Sequence, residues 1–139
     1  MFKKINFQFV LSYLGLFPFL FIFFDYFFFK ILDSNIVKDF FILYSLIIFV
    51  FIGAVNWNLK KNISLIILFI GFMPSFASVL MIIMFLYSYE VINYLIILFI
   101  IQLILDNFIY KEKNYRPIFY KLRLPLTITI LVCLILIQL

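Results

Sequence analysis

Five apolar stretches follow one another along this chain, each close to the roughly 20 residues that carry a helix across a bilayer. They run from about Phe7 to Phe24, Phe40 to Trp57, Ser64 to Tyr87, Val91 to Phe108 and Leu124 to Leu139. The segments between them are short and carry most of the charge. A soluble fold has no place for this pattern. The chain is 68% hydrophobic and 12% charged, against about half and about a quarter in soluble domains. A domain of this size buries only about two thirds of the surface its chain exposes, so the remaining solvent is lipid. The expectation is an all-α, polytopic membrane protein: one transmembrane domain over residues 1–139, built as a bundle of five transmembrane helices.

The basic residues set the orientation. Cytoplasmic loops are enriched in Lys and Arg. With five spans, Lys3, Lys4, Lys60, Lys61, Lys111, Lys113, Arg116, Lys121 and Arg123 fall on one side, and only Lys30 and Lys38 on the other. This predicts a cytoplasmic N-terminus and an outside C-terminus. The third run carries Gly71, Pro74, Ser75 and Ser78 and reads as one kinked helix or two short pieces; the charge split favours one. The opening Met-Phe-Lys-Lys looks like the start of a signal peptide, but the apolar run behind it is too long and no small-residue cleavage site follows, so it reads as a retained span. The net charge of +5 is distributed as membrane-flanking runs, which argues against a nucleic-acid partner.

Several chemistries are closed to the chain. It has no histidine, which removes Ser-His-Asp and Cys-His catalysis, histidine-ligated zinc and histidine-ligated haem. Its one cysteine, Cys133, cannot form an internal disulfide and is not a metal site. No cofactor, no metal and no enzymatic activity are expected.

Two groups of residues stand out. All three glycines lie in spans, at Gly15, Gly53 and Gly71. Small residues let membrane helices approach closely, and lipid gives apolar side chains little other reason to associate. Gly15, Gly53, Gly71, Ser75 and Ser78 are therefore candidate helix-packing positions. The fourth span instead carries Gln102 and Asp106, four residues apart and so on one face, about 6 Å from each other along the axis. Polar groups at that depth cost several kcal/mol without partners, so both are expected to face protein. Asn56 and Trp57 close the second span and Arg123 opens the fifth, at the same end of the bundle. Asn56, Trp57, Gln102, Asp106 and Arg123 thus form a candidate polar cluster, with an Asp106–Arg123 ion pair expected at its centre.

The order Leu-Gly15-Leu-Phe-Pro18-Phe, Gly53-Ala-Val-Asn56-Trp57, Met-Pro74-Ser75, Gln102-Leu-Ile-Leu-Asp106 and Tyr120-Lys-Leu-Arg123-Leu-Pro125-Leu-Thr127 resembles the domain of unknown function 3429 family of small bacterial inner-membrane proteins, to which mitochondrial transmembrane protein 69 is similar. The resemblance covers nearly the whole chain and implies the same multi-pass architecture in a bacterial inner membrane. The family usually ends its second span in Gly-Gly-x-His-Trp. Here Ala54 stands for the second glycine and Asn56 for the histidine, so a role needing a titrating imidazole is not available. The family brings no established activity. The leading expectation is an interaction or assembly factor whose partners are the bilayer and other membrane subunits or a second copy. The alternative is binding or transport of a small polar solute or lipid headgroup at the Gln/Asp/Arg cluster.

Overall fold

The structure, a computed structural model, describes residues 2–55 and 65–139, with side chains from residue 9 onward. Every regular element among the described residues is helical. The order is α1 (Phe2–Phe24), a π-helical turn (Asp25–Phe29), α2 (Ser34–Val55), α3 (Leu65–Leu86), α4 (Ile92–Ile109), α5 (Arg116–Ile118), a second π-helical turn (Phe119–Arg123) and α6 (Leu124–Gln138). Five helical stretches are long and apolar enough to cross a membrane: Phe9–Phe29, Ser34–Val55, Leu65–Leu86, Ile92–Ile109 and Arg116–Gln138. The third run is one helix with Pro74 inside it. The fifth differs from expectation. Residues 116–123, read from their charges as loop, continue the helix, because α5, the π turn and α6 join without a break.

The chain divides into two compact units. One comprises Met1–Phe41 with Tyr110–Leu139, the other Ile42–Ile109.

In the first unit, α1 closes on the carboxylate of Asp25. The Lys30 N–H bonds back to the Asp25 carbonyl at 2.6 Å, ending the π turn, and Lys30 takes φ 52°. The side chain of Asp25 then accepts the Ile31 and Leu32 N–H groups at 3.3 and 3.1 Å. One buried acid thus answers two donors that the departing chain would otherwise leave unpaired. Asp33 opens the next helix, its Oδ1 accepting from the Asn35 N–H at 2.8 Å, which is the N-cap geometry. Phe19 meets Phe41 edge to face at 4.5 Å between ring centroids, and both are fully buried.

At the far end of the chain, Pro117 and Pro125 sit in the opening turns of α5 and α6. Pro125 has no N–H, so in a regular helix the carbonyl four residues back, that of Lys121, would lack its donor. The Tyr13 hydroxyl of α1 donates to that carbonyl at 2.6 Å. Along α6 the buried residues are Thr127, Ile130, Cys133, Leu134 and Ile137, while Ile128, Val132 and Ile135 are exposed.

In the second unit, α3 ends in two crossed bonds: Tyr89 N–H to the Met84 carbonyl at 3.1 Å and Ser88 N–H to the Phe85 carbonyl at 2.9 Å. Ser88, at φ 62°, occupies the left-handed position that glycine usually fills in this Schellman arrangement. The short turn brings α4 back beside α3, as a helical hairpin requires. Phe49 of α2 meets Phe99 of α4 edge to face at 5.2 Å.

Candidate functional site

Two polar arrangements occupy the buried faces of the two units. In the second unit, the buried residues of α4 are Leu95, Phe99, Gln102 and Asp106. Their spacing of four, three and four is that of one helix face. Gln102 Nε2 donates to Asp106 Oδ1 at 2.8 Å. Asp106 is 0% exposed and Gln102 3%. The one-turn spacing in the sequence produces this bond directly, since residues i and i+4 stand one above the other.

In the first unit, Arg123 closes the second π turn and is 3% exposed. Its Nη2 donates to the Tyr110 hydroxyl at 3.0 Å, and its Cζ lies 5.5 Å from the centre of the Tyr110 ring. The charge thus gains a hydrogen bond and a ring face together. Tyr110 is fully buried. Sequence reasoning overlooked it, although its spacing carries the signal: it falls four residues after Asp106 and eight after Gln102. Asp106 belongs to one unit and Arg123 to the other, and each has a hydrogen-bond partner inside its own unit. Asn56 and Trp57 lie outside the described residues.

The small residues divide. A Cβ placed on Gly53 would stand 2.6 Å from the Gly71 carbonyl oxygen and 2.7 Å from Pro74 Cγ. Backbone therefore meets backbone there, and the buried residues of α3, Gly71, Pro74 and Ser78, lie along one side of that helix. Ser75 is half-buried. Gly15 differs: among the described residues a Cβ there would meet nothing within 4 Å, and the residue is exposed. The Tyr13–Lys121 bond was likewise missed, because only the juxtaposition of α1 with α6 reveals it.

Chemically, these groups are anchored. The carboxylate of Asp106 accepts from a neighbouring amide, the guanidinium of Arg123 is held on a phenol, and the carboxylate of Asp25 caps a turn. No three His, Cys, Asp or Glu side chains gather as a metal set among the described residues.

No curated protein and no solved structure gives a significant match to the chain. A family model does, over residues 6–139 and so over nearly the whole sequence. With its five apolar helices and its Gly53, Gln102–Asp106 and Arg123–Pro125 stretches inside the matched region, this chain belongs to the family described as Protein of unknown function (DUF3429).

Proposed function

We propose that this multi-pass protein is a non-enzymatic interaction or assembly subunit of a bacterial inner membrane, with its N-terminus in the cytoplasm and its C-terminus outside. The observation that carries this reading is the way its buried polar groups are used. Asp25, Gln102 and Arg123 bond to groups of the fold itself, as structural anchors do. Meanwhile Ile97, Ile100, Ile101, Ile104 and Phe108 leave one side of α4 exposed and apolar between Asn93 and Asn107. That face suits lipid or the helix of another membrane subunit, or of a second copy. The orientation rests on the distribution of Lys and Arg.

A second reading has its own support. An acid as deeply buried as Asp106 in a membrane helix often marks a solute or ion path. Purification of a tagged protein in mild detergent separates the two. A partner present in fixed stoichiometry, and recovered again when the tag is moved to that partner, supports the assembly role. A protein that runs alone and holds a small solute, lost on Asp106→Asn, overturns it in favour of binding or transport.

A further inference from the structure

We propose that Lys111, Lys113 and Lys121 form a headgroup-level site for an anionic phospholipid in the leaflet that adjoins the start of the fifth span. The helical stretch Arg116–Gln138 has 23 residues, or about 34 Å at a rise of ~1.5 Å per residue. The hydrocarbon core is about 30 Å thick. With Gln138 at one edge of the core, Arg116 stands just beyond the other, at the level of lipid phosphates. Aromatic rings hold it there: its Cζ lies 5.0 Å from the Tyr120 ring and 5.4 Å from the Phe119 ring, and its Nη2 donates to the Tyr120 hydroxyl at 3.1 Å. Arg116 thus serves as the depth marker of the segment.

The three lysines flank that level. Lys111 and Lys113 precede the helix, and Lys121 lies about 3 Å inside the core edge on the same scale, within reach of the surface by its long stem. All three are exposed, and none has an ion-pair partner among the described residues. Arg123, deeper still, differs: it is buried against Tyr110. The lysines therefore present three positive charges to whatever lies at the membrane surface.

A soluble polyanion would need charge alone. The surface below Lys121 is apolar instead: Ile128, Val132 and Ile135 are exposed one after another down α6. A phosphate at the lysines with an acyl chain along these residues satisfies both parts of the surface, and only a lipid has both parts. Each basic residue near an anionic membrane surface strengthens binding roughly fivefold at physiological ionic strength.

The test uses purified protein in neutral detergent, followed by native mass spectrometry and thermal melting. Phosphatidylglycerol, phosphatidylcholine with the same acyl chains, and inorganic phosphate are compared as probes. Phosphatidylglycerol is expected to bind more tightly and to raise Tm more than the other two. The triple variant K111Q/K113Q/K121Q should bind it about a hundredfold more weakly, whereas K30Q/K38Q should keep the preference. If the triple variant does not fold, salt provides the second measurement. At about 1 M the Debye length is about 3 Å, and the unmodified protein should then lose its preference for phosphatidylglycerol. Equal binding of the two lipids, a preference that survives in the triple variant or in high salt, or inorganic phosphate matching phosphatidylglycerol would each overturn the proposal. These outcomes are independent of the assembly role.

Discussion

Gly53 and Gly15 look alike in the sequence, each a lone glycine in an apolar span. In the fold, a Cβ on one would run into the Gly71 carbonyl and Pro74, and a Cβ on the other would meet nothing within 4 Å among the described residues. The difference is set by how helices are placed side by side, which no local pattern contains. Gly53→Ala should therefore destabilise the protein by about 1–3 kcal/mol, the usual cost of forcing atoms into a filled contact. Gly15→Ala should be neutral or slightly stabilising, since alanine is the better helix former. Thermal melting of both variants in the same detergent checks this, and equal losses would remove the Gly53 contact from the account. Ser88 gives the opposite case. It adopts φ 62° where glycine is favoured, so Ser88→Gly should stabilise by roughly 0.5–1 kcal/mol. A lower Tm for that variant would mean that the crossed bonds ending α3 are not formed.

At the scale of elements, the sequence reveals the existence of the helices better than their limits. The fifth helix was expected to start at Leu124 because five basic residues precede it. It starts at Arg116 because the deepest of those charges, Arg123, is buried on Tyr110 rather than left at the surface. Helix faces were hidden as well, except on α3, where Gly71 and Ser78 lie on the buried side, and on α4. There Gln102 and Asp106 identify the protein-facing side, since a polar group cannot face lipid cheaply. On α6 the residues are nearly all apolar, and only the fold separates Ile130 and Leu134, buried, from Ile128 and Val132, exposed. The bond from Tyr13 to the Lys121 carbonyl makes a prediction at this scale. Tyr13→Phe should cost about 0.5–1.5 kcal/mol in an otherwise unchanged chain. In a Pro125→Ala background the restored N–H can serve Lys121, so the same substitution should cost close to nothing. A double-mutant cycle by thermal melting measures the coupling; an unchanged cost in both backgrounds would show that Pro125 does not create the need for Tyr13.

For the whole molecule, the number of membrane-length helices could be read directly, because a bilayer imposes both a length and an apolar composition on every crossing. The candidate site was legible in part. Gln102 and Asp106 meet because of their spacing, whereas Tyr110 and Tyr13 find Arg123 and Lys121 only through folding over distances of 13 and 108 residues. The central claim is that the chain crosses the membrane five times, an odd number, and so leaves its ends on opposite sides. The direct measurement is a pair of fusions in a bacterial host, each carrying a reporter enzyme that works only outside the cytoplasm. Joined after Leu139, the reporter should be active; joined ahead of Met1, it should be silent. Activity at both ends, or at neither, would require an even number of crossings and contradict the account.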